Sequence, residues 1–371
     1  MRLIPTWSRL CGWADQEYRL PARSLAFVRI TLALYLLRPL GYPVWLSQLP
    51  DSFYKPPPGI TMFFTGFPPE WVVLAMGLIS TVCVLLMLFG LWTLPATLVT
   101  VALMFLNWGI TFSLGKIDHG QMLPICMLAL GLAGWGKAWS FDAWRRKTRA
   151  LPAGEPSGWP ITWLALVLSL GYFSAAIPKA TSGWLLPDTH ATFGYLIRFA
   201  VDQERTRPIA LWLMEHPGWW WKLPDYGTVL VEAGLLFLLP RRRWFLLGLV
   251  AMLTFHWGVW VMMGIFFGSN FIAIGALYNY DRLVGHLENR LGRFQGKPWR
   301  NRWLAAPLIA ASLLIAVRLN NTQGWEWAGF TLKPSWFAWM NLTVAVLVTL
   351  GAFAWFYAAY IRRHQAERLI Q

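Results

Sequence analysis

The sequence predicts an all-α fold, a bundle of about ten transmembrane helices with both termini in the cytoplasm, and three observations predict it. First, 57% of the 371 residues are hydrophobic and only 13% are charged, whereas a soluble domain carries about a quarter charged residues. Second, the apolar residues are gathered into runs near the length of about 20 that a helix needs to cross a bilayer. Third, the basic residues sit mostly in short clusters between those runs. A net charge of +15 could also suit nucleic acid. Clusters flanked by apolar runs instead fit anionic lipid headgroups and membrane orientation, so no nucleic-acid partner is expected.

The candidate spans, in order, are 24–42, 71–92, 96–115, 121–137, 159–178, 227–240, 244–264, 268–280, 303–320 and 336–361. The sixth is short. The seventh and eighth share one apolar run broken by Gly268, Ser269 and Asn270. Lys and Arg residues are retained on the cytoplasmic side of short loops. With ten spans, 21 of the 32 fall on one face, in 1–23, 137–149, 241–243, 281–302 and 362–371, and 8 fall on the other. Arg29, Arg38 and Arg318 lie inside spans. This distribution sets the orientation and places the chain in the cell (inner) membrane as a multi-pass protein.

Two long segments remain on the outer side. Residues 43–70 contain Pro56, Pro57 and Pro58, which fix φ and remove donors, and read as a re-entrant or surface turn. Residues 179–226 carry Trp184, Trp212, Trp219, Trp220 and Trp221 among scattered charges, the pattern of helices lying in the headgroup layer. The 26 Trp and 11 Tyr of the chain suit the same layer. No internal repeat or hydrophilic domain is visible. The N-terminus has basic residues but no short apolar core before a small-residue cleavage site, so no removable signal peptide is expected. Cys11, Cys83 and Cys126 form neither a disulfide framework nor a CxxC site. The organisation expected is a cytoplasmic segment 1–23, a transmembrane domain 24–285, and an additional helix pair with a cytoplasmic tail over 286–371.

Ionisable groups in or at the edge of a bilayer are costly and mark functional candidates. In this topology Asp118 and His119 lie at the outer junction of the third and fourth spans, and Lys179 closes the outer end of the fifth. Glu232 lies in the outer half of the sixth, and His256 lies just outside the middle of the seventh. All fall in one half of the membrane, as a shared outer cavity would require. Each also has a structural reading. Lys179 can snorkel to the interface, His119 can bond a helix end, His256 can pack helices, and Glu232 can pair with Arg38 or His256. Arg29 can satisfy carbonyls or a carboxylate. No spacing of metal ligands is present, and no metal is expected.

An amine in an apolar pocket loses hydration of its charged form, and a neutral lysine can then serve as a general base. The residues around Lys179 resemble a known family at this point. Ser24 to Arg29, Asp118-His119-Gly120, Ser140-Phe141-Asp142, Tyr172 to Lys179 with Trp184 after it, and Phe255-His256 followed by Gly264-Ile265-Phe266 resemble, in order, motifs of the HTTM domain. That membrane domain is shared with vitamin K-dependent gamma-carboxylases. The resemblance covers roughly residues 20–285. It implies that Lys179 is the base and His119 its helper in quinol-linked carboxylase or epoxidase chemistry, of lyase or oxidoreductase type. It also implies a reduced, vitamin K-like quinone as cofactor, and Asp118, Glu232, His256 and Trp184 are the candidates for lining its site. The chain departs from the family at Asp118, where an asparagine is usual, and at Pro178, where a lysine is usual. In place of the long lumenal part of animal carboxylases it has two further apolar segments. An alternative of another class is a non-catalytic lipid- or quinone-binding subunit of a transport or maturation system. Membrane lipid is the expected partner, and no protein partner is indicated.

Overall fold

The computed structural model describes residues 4–37, 42–114, 119–149, 154–202, 208–216 and 218–292. Within them every regular element is helical, and no strand occurs. In chain order the α-helices are α1 (Ile4–Gln16), α2 (Ala22–Leu36), α3 (Glu70–Phe89), α4 (Thr93–Thr111), α5 (Met122–Ala133), α6 (Phe141–Thr148) and α7 (Trp159–Thr181). They continue as α8 (Ala191–Asp202), α9 (Pro208–Met214), α10 (Lys222–Leu238), α11 (Arg242–Met263), α12 (Gly268–Gly275) and α13 (Asp281–Gly292).

Four helices are long and apolar enough to cross a membrane: Glu70–Phe89, Thr93–Leu114, Trp159–Thr181 and Arg242–Met263. They coincide with the expected spans 71–92, 96–115, 159–178 and 244–264. The expected segments 24–42, 121–137, 227–240 and 268–280 overlap α2, α5, α10 and α12, helices of 15, 12, 17 and 8 residues respectively. These lengths fall short of the roughly 20 residues of a straight crossing. Past α5 the sequence stays apolar, but local geometry stops the helix. Gly134, at φ 94°, follows α5 in the left-handed region. Segments 303–320 and 336–361 lie outside the described residues.

The two long segments expected between spans, 43–70 and 179–226, also differ from regular spans. Residues 43–70 hold three 3-10 turns, Val44–Gln48, Asp51–Phe53 and Ile60–Phe63, as the proline-rich stretch requires. Between Trp184 and Trp221 the chain forms α8, α9 and a 3-10 turn at Gly218–Trp221. Val201, Leu211, Trp212 and Trp219 are exposed there. Leu196, Ala210, Trp221 and Met263 form a small core beneath.

The chain divides into two compact units. The first comprises Met1–Pro21, Asp118–Ala133 and Pro156–Asn279. Helix α7 is its axis, packed against α1, α5 and α10. The attachment of α1 is polar. Asp15 accepts hydrogen bonds from the Ser157 hydroxyl and the Gly158 amide, both at 2.8 Å. These lie where α7 begins and would otherwise leave its first donors unsatisfied. Gly158 is needed for this approach, since a Cβ there would collide with the Asp15 carbonyl. Nearby, the Tyr18 hydroxyl donates to the Leu239 carbonyl at 2.7 Å, and the Arg242 amide donates to Glu17 Oε1 at 2.9 Å.

The second unit comprises Ala22–Ile117, Gly134–Glu155 and Tyr280–Gln371. Arg29 organises it from α2. Its guanidinium is fully buried and donates to the carbonyls of Trp135 at 2.7 Å, Ala138 at 3.2 Å and Trp139. Trp139 holds a left-handed backbone at φ 45°, a conformation a bulky residue keeps only when its surroundings impose it. Asp142 accepts from the Trp92 and Thr93 amides and the Thr93 hydroxyl, and so caps α4 from the far side of the unit. Arg23 pairs with Asp281 at 3.1 Å, joining α2 to α13.

Candidate functional site

The first unit encloses a cavity of about 680 Å³ bordered by α5, α7, α8, α10, α11 and α12. Its size is typical of ligand sites, which run from about 300 to 1,000 Å³ and are mostly apolar with a few placed polar groups. Leu168, Phe199, Val259 and Met262 represent the apolar wall. The polar groups fall into two sets, and α7 supplies one member of each.

The first set is built around Lys179, in the last turn of α7. Its Nζ donates to Glu232 Oε2 of α10 at 2.6 Å and to the Ala175 carbonyl at 3.2 Å. It also lies 5.8 Å from the centroid of the Trp184 ring. Glu232 is 6% exposed. An ion pair this buried is unfavourable to break, because either partner alone would be an uncompensated charge among apolar side chains. Sequence reasoning offered Arg38 or His256 as partners for Glu232, and the structure supplies Lys179.

The second set lies two helical turns back along α7. The Tyr172 hydroxyl is 2.6 Å from His256 Nε2 of α11 and accepts from Asn270 Nδ2 of α12 at 3.0 Å. The imidazole sits against the Phe267 ring, with centroids 4.5 Å apart. Seven residues separate Tyr172 from Lys179, so the sets are about 10 Å apart along the helix axis.

Of the residues singled out from the sequence, Lys179, Glu232, Trp184 and His256 border this one cavity. His119 begins a 3-10 turn, His119–Gln121, leading into α5. Asp118 lies outside the described residues. Two contributors were missed as site residues, Tyr172 and Asn270. Asn270 had a signal, since it is a polar side chain inside an otherwise apolar run. Tyr172 also had one, as the first residue of the Tyr172 to Lys179 stretch that carries the resemblance.

A further buried pair fixes one wall of the cavity. Asp225 is fully buried and accepts from the Ala191 amide at 3.1 Å, the Thr192 amide at 2.8 Å and the Thr192 hydroxyl at 2.6 Å. It thereby caps α8, which presents Thr192, Tyr195 and Phe199 to the cavity. Lys222 Nζ bonds Asp225 at 3.0 Å, the Trp184 carbonyl at 3.0 Å and the Thr189 hydroxyl at 3.2 Å. Among the described residues no group of three or more His, Cys, Asp or Glu side chains gathers as a metal site would need.

Comparison of the chain with protein families, with curated proteins and with solved structures finds no match in any of the three.

Proposed function

We propose that this is a multi-pass protein of the cell (inner) membrane that binds a lipid-soluble, hydroxyl-bearing molecule of the reduced-quinone class and performs acid–base chemistry on it. The observation that carries the reading is the Lys179–Glu232 pair at 2.6 Å in the wall of an apolar cavity of about 680 Å³. Ionisable residues held in an apolar cavity are candidates for ligand or proton sites. The topology belongs to the same proposal: about ten spans, with both termini in the cytoplasm. The one-sided distribution of Lys and Arg supports it.

The cavity suits such a molecule. Apolar walls can take a ring system and its tail, and the two polar sets can meet oxygen atoms at its edge. When bound, the quinol would supply reducing equivalents. The protein's own share is to orient the ring, exclude water through Phe199, Val259 and Met262, and move a proton at the Lys179–Glu232 end. The resemblance to the carboxylase membrane domain gives Lys179 and His119 the leading roles in that chemistry.

The test is extraction of the purified protein and mass spectrometry of the lipid that accompanies it. A quinone at near-stoichiometric amount supports the proposal. Phospholipid alone would favour the non-catalytic reading, a lipid-binding subunit in which Lys179 and Glu232 serve only to join α7 to α10.

A further inference from the structure

Lys179 and Glu232 share one end of the cavity, but their surroundings separate their roles. The amine of Lys179 faces a carboxylate oxygen at 2.6 Å, a backbone carbonyl at 3.2 Å and the face of the Trp184 ring at 5.8 Å. All three present negative charge or negative polarisation toward the amine, the surroundings of a counter-charge. An ammonium has no lone pair and cannot accept a proton. Glu232 has a different situation. Among the described residues its hydrogen-bond donor is Lys179, through Oε2, which leaves Oε1 as an open acceptor in a side chain that borders the cavity.

We infer that Glu232 Oε1 is the proton acceptor of this cavity, and that Lys179, kept as an ammonium, is the positioning counter-charge for the ligand oxygen. The inference rests on the reading of the cavity as the site of a hydroxyl-bearing ligand. In the step, the ligand's O–H bond breaks, the proton passes to Glu232 Oε1, and the bonding pair stays on the ligand oxygen. The charge balance explains why the pair is built this way. Before transfer the cavity holds an ammonium and a carboxylate. Afterwards it holds the same ammonium, a negative ligand oxygen and a neutral carboxylic acid. One ion pair replaces another, so no bare charge appears between apolar walls. If Lys179 were the acceptor, its existing proton would first have to move to Glu232, the same destination.

The experiment uses the full-length protein in detergent with an alkyl-chain 4-nitrophenol as probe, at a pH where the free probe is neutral. Absorbance of the phenolate reports proton transfer, and quenching of tryptophan fluorescence reports binding independently. The wild type should bind the probe and show the phenolate band. Glu232→Gln should bind it and lose the band, while Lys179→Arg should keep the band because guanidinium retains the positive charge. Should Glu232→Gln fail to fold, Glu232→Asp, with its carboxylate withdrawn by one methylene, should bind the probe with a weakened band. A band retained in Glu232→Gln, or undiminished in Glu232→Asp, overturns the inference while leaving the ligand site standing. So does a band lost in a folded, probe-binding Lys179→Arg protein, which would assign the base to Lys179. Absence of binding by the wild type removes the ligand-site reading itself, and this inference with it.

Discussion

Single residues in this chain do unusual amounts of polar work, and each offers a measurable consequence. Arg29 satisfies three carbonyls in a fully buried position. Arg29→Met keeps much of the volume but strands those acceptors, and hydrogen bonds to a charged group are worth about 1.5–3 kcal/mol each. The variant should unfold at markedly lower temperature in detergent; an unchanged midpoint would show that the carbonyls find other donors. Asp15 gives a pH dependence. The Ser157 hydroxyl, then the Gly158 amide, hold its carboxyl below the ordinary 3.8, at about 2. A depressed carboxyl contributes stability that is complete above its ordinary value and is lost as pH falls from 3.8 to about 2. The stability difference between wild type and Asp15→Asn should therefore be full at neutral pH and shrink across that window. A difference independent of pH would mean that the carboxylate charge contributes nothing.

At the scale of elements, side chains that cap a neighbouring helix add to apolar packing in joining the helices. Asp15 meets the start of α7, Asp142 the start of α4, and Asp225 the start of α8. Each carboxylate satisfies amides that a helix leaves open and lies at the positive end of its dipole. Asp225→Asn should loosen α8, because it removes the charge opposite Lys222 and weakens the cap. Limited proteolysis should then nick the segment between Trp184 and Trp221 faster than in the wild type. Equal cutting would place the strength of this wall in the Leu196–Trp221–Met263 core instead. Gly158→Ala tests the α1–α7 approach. A methyl group would strike the Asp15 carbonyl, and overpacking of this kind costs about 1–3 kcal/mol. Thermal melts that match the wild type would show that α1 can shift without penalty.

For the whole molecule, the open quantity is topology. With the native cysteines removed, single cysteines at the exposed positions Lys55 and Asp188 should react with an impermeant reagent added outside intact cells, while one at the exposed Lys147 should not. Labelling of position 147 from outside would invert the orientation. The helical class was legible because apolar runs and charge clusters are local properties of the chain, and membrane crossing depends on little else. Helix ends were less legible. Gly134 stops α5 through a backbone conformation, although apolar residues continue beyond it.

By itself the sequence determined that the chain is helical, that several helices are apolar enough for a bilayer, and that Lys179, Glu232 and His256 are set apart by the cost of placing charge and polarity there. Only the tertiary structure decided who partners whom. Glu232 lies 53 residues from Lys179, and His256 lies 84 residues from Tyr172. No periodicity carries such a pairing, because it depends on which faces of α7, α10, α11 and α12 turn toward one another. The apolar positions of those helices repeat too evenly to choose a face, so the choice is made by polar groups that must find one another out of reach of water.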